Sequence, residues 1–255
     1  MRIPKIIHQI WWQGSNKIPK KMLNYRKSWT TKHTDFTFII WDKYLFEHLL
    51  HRLNIPIFNK IYIELPYIIQ KIDFCKYIVL YHYGGLYVDM DTICEKPIHT
   101  FLNIKNLIVS KLKVYKKLNI YLVNNGVIFC KKKHIFFYYL IIEIYKNRKQ
   151  KIYQNKDLYI LESTGPLLFT KVIMKYLFLY KFKNIMILNP FYFESNEIDN
   201  HNYIKGLYIT HIHNTSWISP SYKLHFKMIK LINNKYIGSV FVFVFIFIFV
   251  YILIL

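Results

Sequence analysis

The fold of this chain is constrained most by the run PYIIQKIDFCKYIVLYHYGGLYVDMD at residues 66–91. Its first part, Pro66–Tyr83, is long and apolar and opens on a proline, which predicts a helix. Gly84 and Gly85 then predict the end of that helix, because glycine accepts the left-handed conformation of a C-terminal stop. Leu86–Val88 predicts a strand that ends in two acids. A helix followed at once by a strand indicates an α/β fold.

Strand-like and helix-like segments alternate along the rest of the chain, up to about residue 235. The predicted strands are 5–12, 36–41, 86–94, 106–111 and 126–130, and the other predicted helices are Pro19–His33, Lys43–Leu53, His134–Lys146 and Gly165–Leu179. Strands interleaved with helices predict an α/β sandwich with a mostly parallel central sheet. No linker or internal repeat interrupts the pattern, so residues 1–235 are expected to form one domain.

Composition narrows the class of protein. Apolar residues make up 53% of the 255 residues, which suffices for a large core and excludes a disordered chain. The formal net charge of +22 is typical of proteins that bind nucleic acid or anionic membranes. Here, however, the basic residues are spread along the whole chain, without a nucleic-acid-binding motif. The abundance of Ile, Lys, Asn, Tyr and Phe also matches a coding sequence rich in A and T. A nucleic-acid-binding membrane protein is therefore the least favoured alternative.

The cysteines and the N-terminus bear on the compartment. Cys75, Cys94 and Cys130 are far apart and form no CxxC pair, which excludes a disulfide framework and a structural zinc site. They fit a reducing compartment or simple core positions. The run MRIPKIIHQIWWQG has a short apolar stretch without a small-residue cleavage site, so we do not expect a signal peptide.

Residues 236–255 form the sharpest change of composition in the chain. The run is apolar, and about 20 residues of helix span the core of a bilayer, so it predicts a single C-terminal membrane anchor. The alternative is a buried strand pair, since Val, Ile and Phe favour β structure. The basic residues just before the run, Lys223, Lys227, Lys230 and Lys235, predict that the large domain lies on the cytoplasmic side.

Asp89 and Asp91 stand at the predicted carboxyl end of a strand, where open α/β sheets place their ligand sites. If the strand is regular, two residues that are two positions apart share one face, and their oxygens suit a hard divalent cation. Such a cation would bind the two phosphates of a nucleotide and neutralise a departing diphosphate, in a transferase or a hydrolase. The alternative is a pair of solvated acids in a surface loop.

Asp73 and Lys76 lie three positions apart in the preceding helix and therefore project from the same side. An acid in such an apolar segment is costly to bury unless it is paired or functional. An internal ion pair between the two side chains is the structural alternative to a catalytic role.

Together these residues resemble a known family. The segments IPKIIHQIWWQG, FIIWD, D-x-x-K-x-x-x-L-x-x-YGGLYVDMD, NNGVIF, STGPLLFT and HIHNTSW follow the order found in the family 32 glycosyltransferases, which have the DxD sugar-binding region. The matches run from residue 3 to residue 217, and D-x-x-[RK] followed by YGG-x-Y-x-D-x-D is the most specific of them. The yeast initiating mannosyltransferases and, more distantly, the clostridial glucosylating toxins are related to this family.

The resemblance implies a GT-A fold, a UDP- or GDP-hexose donor, a Mn²⁺ or Mg²⁺ ion and transfer with retention of configuration. It implies that Asp89 and Asp91 hold the ribose and the metal-bound diphosphate, and that Asp73 binds hydroxyls of the donor sugar. Lys76 stands where the family usually has Arg. Because Lys lacks the bidentate fork of Arg, donor contact is expected to be altered or weakened.

Five further residues receive roles from the resemblance. Trp11 would stack on the nucleobase, and Asn125 would present its amide to the sugar. Gly165 would open the segment that shapes the acceptor side, and Trp217 would cover the donor and exclude water. His213 would complete the coordination of the metal or phosphate. The alternatives are core packing for Trp11 and Trp12 and a surface histidine for His213.

The sequence therefore predicts a metal-dependent hexosyltransferase that acts on a glycan, glycolipid or protein hydroxyl. Asp73, Lys76 and Asp91 are the expected catalytic residues, and Asp89 and Asp91, with His213, the expected metal ligands. The cation and Lys76 are expected to stabilise the leaving diphosphate. We expect front-face displacement rather than a covalent intermediate, because no carboxylate is obviously placed as a nucleophile. The remaining alternative is a degenerate, membrane-anchored sugar-binding protein.

Overall fold

A computed structural model of the chain describes residues 2–115, 120–180, 184–194, 196–199, 202–214 and 218–220. The chain divides into two units, Met1–Leu112 with Leu122–Thr215, and Lys113–Tyr121 with Ser216–Leu255; the candidate site lies in the first. Trp217 and the predicted anchor at 236–255 lie outside the described residues. None of the helices in those ranges combines the length and the apolar character needed to cross a membrane.

Seven helices and eleven strands are described. The helices are α1 (Lys20–Lys32), α2 (Lys43–Leu53), α3 (Pro56–Glu64), α4 (Ile68–Tyr83), α5 (Ile135–Asn147), α6 (Lys156–Ser163) and α7 (Pro166–Tyr180). The strands are β1 (Ile6–Ile10), β2 (Thr37–Trp41), β3 (Gly85–Val88), β4 (Thr92–Cys94), β5 (Leu107–Tyr115), β6 (Ile120–Val123), β7 (Val127–Cys130), β8 (Ile185–Leu188), β9 (Asn196–Asp199), β10 (Asn202–Ile204) and β11 (Ile209–His211).

The central sheet has seven strands in the order β2-β1-β3-β7-β5-β6, and β8 also pairs with β5. β1 runs parallel to β2 and β3, and β5 runs parallel to β8. β7, however, is antiparallel to both β3 and β5, so the sheet is mixed and the prediction of a mostly parallel sheet needs correction. Helices separate β1, β2 and β3 in the chain and allow parallel pairing, whereas residues 116–126 are too few for a crossover between β5 and β7.

The α/β class and most of the predicted elements are confirmed, with two helices and five strands added. The additions are α3, α6, β6, β8, β9, β10 and β11, and the strand predicted at 86–94 is divided into β3 and β4. A turn separates these strands, because the Thr92 backbone N–H and hydroxyl both donate to the Asp89 carbonyl, at 3.2 and 2.6 Å. Asp89 therefore begins a turn and Asp91 lies within it, so the two aspartates do not share the face of one regular strand.

The connection from α4 to β3 requires both glycines. Gly84 and Gly85 have φ angles of 67° and 102°, in the region that favours glycine. A Cβ atom at Gly84 would lie 2.5 Å from the Lys132 nitrogen, and one at Gly85 would lie 2.5 Å from the Ile6 carbonyl oxygen. The chain can therefore pass directly from the buried helix into the buried strand that precedes Asp89.

His8 of β1 fixes this connection from the neighbouring strand. Its Nε2 donates to the Gly84 carbonyl at 2.8 Å, and its Nδ1 accepts from Trp41 Nε1 at 3.1 Å. The ring is fully buried. Burial lowers the pKa of His8 to about 4, against the opposing effect of the hydrogen bond to Gly84.

This pKa predicts that His8 makes stability depend on pH. The unfolded chain takes up a proton at this side chain below about pH 6.5, whereas the folded chain resists protonation down to pH 4. The contribution of His8 to the free energy of unfolding is complete above pH 6.5 and falls by about 3 kcal/mol as the pH drops towards 4. Urea unfolding at pH 7.5 and pH 5 measures the loss. The His8→Gln variant, which does not titrate, is expected to lose less, and an equal loss would contradict this prediction.

Candidate active site

Asp89, Asp91 and His211 converge at the carboxyl end of β3. β11 pairs antiparallel with β4 and places His211 opposite Thr92, beside the turn that carries both aspartates. His211 Nε2 lies 3.3 Å from Asp91 Oδ1 and 3.6 Å from Asp89 Oδ2. The pairing of two distant strands thus brings the His211 imidazole to two carboxylates that are two positions apart in the sequence.

These three side chains fit a divalent cation. Each offers one ligand atom, and the three atoms lie within 4.8 Å of one another. Carboxylate oxygens suit Mg²⁺ and Mn²⁺, and a nitrogen ligand favours Mn²⁺ of the two. The Asn214 backbone N–H donates to Asp91 Oδ2 at 2.6 Å, and the Tyr87 hydroxyl donates to Asp89 Oδ1 at 2.6 Å, so both carboxylates are oriented.

The charges of this group are strongly coupled. Burial lowers the pKa of His211, but the hydrogen bond to Asp91 and the charges of Glu194, Asp91 and Asp89 outweigh it and raise the pKa to about 9. Burial raises the pKa of Asp91, but His211 outweighs it and brings the pKa to about 2. His211 therefore holds a proton among these carboxylates, and a divalent cation would take the place of that proton.

Lys76 joins α4 to the turn after β3. Its Nζ lies 2.9 Å from Asp73 Oδ1 and 3.7 Å from Asp89 Oδ1, and its side chain is only 4% exposed. Burial lowers the pKa of the Lys76 ammonium, but the charges of Asp73 and Asp89 outweigh it and raise the pKa above its ordinary value. The internal ion pair is thus present, and its ammonium also faces the first aspartate of the DXD motif.

The Asp73 carboxylate is held on both oxygens. Asn125 Nδ2 donates to Oδ1 at 3.2 Å, and the Thr164 hydroxyl donates to Oδ2 at 3.1 Å. Burial raises the pKa of Asp73, with the ammonium of Lys76 as the largest opposing effect. Gly165 follows Thr164, and a Cβ atom there would lie 2.9 Å from the Leu161 Cα, so glycine allows this segment to approach α6. Asn125 and Thr164, the residue before Gly165, therefore meet at Asp73.

His213 lies beside the three candidate ligands and contacts a different acid. Its ring stacks on His211 with 3.9 Å between centroids, and its Nε2 is 2.6 Å from Glu194 Oε2. Glu194 is 2% exposed and also accepts from Asn124 Nδ2 and, at 3.3 Å, from the Ser110 hydroxyl. Glu194, His211 and His213 form a second group whose ligand atoms lie within 4.8 Å of one another.

Sequence reasoning missed both His211 as a partner of the aspartates and Glu194. Glu194 stands in the apolar run FYFES. An acid in an apolar segment is costly to bury unless it is paired or functional. Glu194 could have been recognised on this ground, as Asp73 was.

Trp11 and Trp12 have different surroundings. Trp12 is buried and packs against Phe46 and Tyr62, which confirms core packing for this residue. Trp11 is partly buried and packs with a small group that includes Met90, the residue between the two aspartates. Trp11 therefore belongs to a group separate from the main core that surrounds Trp12.

Comparison with known proteins identifies the family. Residues 19–115 match the glycosyltransferase sugar-binding region containing the DXD motif. The uncharacterized glycosyltransferase L373 of Acanthamoeba polyphaga mimivirus is 30% identical over 241 residues, which cover 92% of this chain and 90% of that protein. The chain belongs to the glycosyltransferases with the DXD sugar-binding region. It is accordingly a nucleotide-sugar-dependent glycosyltransferase, as the sequence predicted.

Two yeast relatives of this glycosyltransferase bear more specific names. Inositol phosphoceramide mannosyltransferase 1 of Schizosaccharomyces pombe is 30% identical over 179 residues, or 69% of this chain and 53% of that protein. Mannosyl phosphorylinositol ceramide synthase CSH1 of Saccharomyces cerevisiae is 30% identical over 174 residues, or 68% of this chain and 43% of that protein. The chain spans about half the length of these two relatives.

Solved structures support the fold of the glycosyltransferase. PaToxG glycosyltransferase matches with a TM-score of 0.54 and 20% identity, over 68% of this chain and 70% of that one. The glycosyltransferase domain of the YGT toxin matches with a TM-score of 0.55 and 10% identity, over 73% of this chain and 80% of that one. At these identities the likeness concerns the fold, which is GT-A-like with a mixed sheet.

The buried ion pair predicts a large effect of Lys76 on stability. Lys76→Met would leave Asp73 and Asp89 without their ammonium and lower the free energy of unfolding by about 3–5 kcal/mol. Lys146→Met is the matched control, because Lys146 pairs with Glu143 at the same spacing and the same 2.9 Å, but with 59% of its side chain exposed. Lys146→Met is expected to lower the free energy of unfolding by about 1 kcal/mol or less, because the pair is exposed to solvent. Urea unfolding measures both, and equal losses would contradict the structural role of Lys76.

Proposed function

We propose that this glycosyltransferase moves a hexose from UDP or GDP to a hydroxyl of a glycan, glycolipid or protein, in a reaction that needs Mn²⁺ or Mg²⁺ and retains the anomeric configuration. The observation that carries the proposal is the convergence of Asp89, Asp91 and His211 at the end of β3, beside buried Asp73 and Lys76. The mannosyltransferase names of the yeast relatives support a hexose donor and a glycolipid among the acceptors.

Asp89, Asp91 and His211 would hold the cation, which would neutralise the charge that develops on the departing diphosphate. The protein's part is to fix the ligand geometry in advance. Tyr87 and the Asn214 backbone already orient the two carboxylates. On the other side of the ring, Glu194 Oε2 lies 3.9 Å from His211 Nδ1, so a carboxylate faces the nitrogen that does not bind the cation. Preorganised groups of this kind cost little reorganisation during the reaction.

Asp73 would accept hydrogen bonds from hydroxyls of the donor sugar. Lys76, Asn125 and Thr164 fix its carboxylate, which leaves part of its acceptor capacity for a substrate. A carboxylate held by an ammonium and two donors is a weak nucleophile, and this supports front-face displacement with retention.

Lys76 was predicted to stabilise the leaving diphosphate. Its burial between Asp73 and Asp89 supports a positioning role instead, in which the ammonium neutralises these two carboxylates and holds them in place. The departure from the family's usual Arg then affects how rigidly the two acids are held.

The cation requirement predicts the behaviour of Asp91→Asn. The full chain, purified in detergent, is incubated with UDP-glucose, UDP-galactose and GDP-mannose, and nucleotide release is measured with Mn²⁺ and with EDTA. Release from one of the donors is expected with Mn²⁺ only, and Asp91→Asn is expected to lower kcat/KM about 100- to 1000-fold. Asp35→Asn, at an exposed surface ion pair, is the control and should leave the rate unchanged.

Near-normal release by Asp91→Asn or in EDTA would overturn the cation's role. Mn²⁺-dependent nucleotide binding without any release would favour the degenerate sugar-binding alternative. The anomeric proton coupling of the product, read by NMR, tests retention, and an inverted product would contradict it.

We further propose that residues 236–255 anchor the chain in a membrane with its catalytic unit in the cytoplasm, based on the apolar run and the lysines before it. The full chain, expressed in cells, should stay in the membrane pellet after carbonate extraction, and protease added to sealed vesicles should digest the catalytic unit. Release by carbonate would contradict the anchor, and protection of the catalytic unit would contradict the orientation.

A further inference from the structure

Four buried side-chain atoms have no hydrogen-bond partner among the residues that the structure describes. They are Gln9 Nε2, Gln9 Oε1, Trp11 Nε1 and Arg26 Nε. Gln9 is 1% exposed, so both polar atoms of one carboxamide are buried without a partner. Buried polar groups are normally paired, and each exception requires an explanation.

These atoms face the same layer of the protein. Gln9 and Trp11 are two positions apart in β1 and its continuation, and therefore lie on one face. Trp11 packs against the group of Ile18, Met22 and Met90, of which Met22 belongs to α1. Arg26 lies in α1, four positions after Met22 and hence on the same side of that helix. The unpaired atoms thus lie between α1 and β1.

This layer adjoins the catalytic turn. His8 pairs with Tyr87 of β3, so Gln9, the next residue of β1, lies beside the end of β3, which Asp89 follows. Met90, between the two aspartates, packs in the same group as Trp11. Gln9 is therefore close in the sheet to the strand that leads into the catalytic turn, and its neighbour on the same face, Trp11, shares a packed group with a residue of that turn.

We propose that Gln9 pairs with the base of the donor nucleotide and thereby contributes to its selection; this inference rests on the proposed function. A carboxamide offers a donor and an acceptor side by side, which match the N–H next to a carbonyl in uracil and guanine. The unpaired atoms comprise three donors and one acceptor, so they suit a carbonyl-bearing base. Because Gln9 is buried, the base enters as the partly exposed Trp11 and Tyr25 move apart.

Gln9 is therefore expected to lower the stability of the free protein and to raise its affinity for the nucleotide. Gln70 offers the contrast, because its amide is buried but fully engaged. Its Nε2 donates to the Ser163 hydroxyl at 2.6 Å, and its Oε1 accepts from the Tyr67 N–H at 3.2 Å. Replacing an unpaired buried amide by an apolar side chain of similar length stabilises a protein, whereas replacing a paired one leaves its partners unsatisfied.

The experiment compares Gln9→Met with Gln70→Met in the full chain. Gln9→Met is expected to raise Tm by about 4 °C and Gln70→Met to lower it by a similar amount. Calorimetry with Mn²⁺ then gives Kd for UDP, GDP, ADP and inorganic pyrophosphate. Gln9→Met is expected to weaken the tighter of UDP and GDP at least about tenfold, since its base loses two hydrogen bonds, and to leave pyrophosphate unchanged. ADP, whose base lacks an N–H beside a carbonyl, should bind the original chain more weakly.

A lower Tm for Gln9→Met would show that its amide has an internal partner and would overturn the inference. So would unchanged Kd values for UDP and GDP, even though the proposed function would survive that result. No Mn²⁺-dependent binding of any nucleotide by the original chain would overturn both. If Gln9→Met does not fold, Gln9→Asn keeps an amide but shortens its reach, and should weaken UDP or GDP while sparing pyrophosphate.

Discussion

The site depends on one buried ammonium. Lys76 connects a carboxylate of α4, Asp73, with the first carboxylate of the turn after β3, Asp89. Without this positive charge, two acids would lie close together in a poorly hydrated environment, where like charges repel strongly. The ion pair therefore lets the fold bring together the acid proposed to bind the sugar and the acids proposed to bind the cation.

The backbone around this pair is equally constrained. Gly84 and Gly85 let α4 pass into β3 without intervening loop residues, and His8 holds the Gly84 carbonyl from β1. The same strand then supplies Gln9, beside the end of β3. Two neighbouring residues of β1 thus have different roles. Both ring nitrogens of His8 are hydrogen-bonded and stabilise the fold, whereas the amide of Gln9 has no hydrogen-bond partner among the described residues and is proposed to select the base.

Much of this arrangement could be predicted from the sequence, because the signals are local. The helix, its glycine stop and the acids after β3 follow one another in the chain, so the proximity of Asp73, Lys76 and Asp89 follows from one helix–strand unit. The choice between His211 and His213 could not be made in this way. It depends on the pairing of β11 with β4 and on the positive φ of 55° at His213, which redirects the chain after the strand. The mixed direction of the sheet and the burial of Glu194 likewise depend on contacts between distant segments.

The central claim is that Asp89, Asp91 and His211 form the cation site. Its most direct test is Mn²⁺ binding, measured by electron paramagnetic resonance for the original chain, His211→Ala and His213→Ala. His211→Ala is expected to weaken Mn²⁺ binding about tenfold or more, because a direct ligand is lost, and His213→Ala is expected to have a smaller effect. Unchanged binding in His211→Ala, or the larger loss in His213→Ala, would contradict a cation site at Asp89, Asp91 and His211.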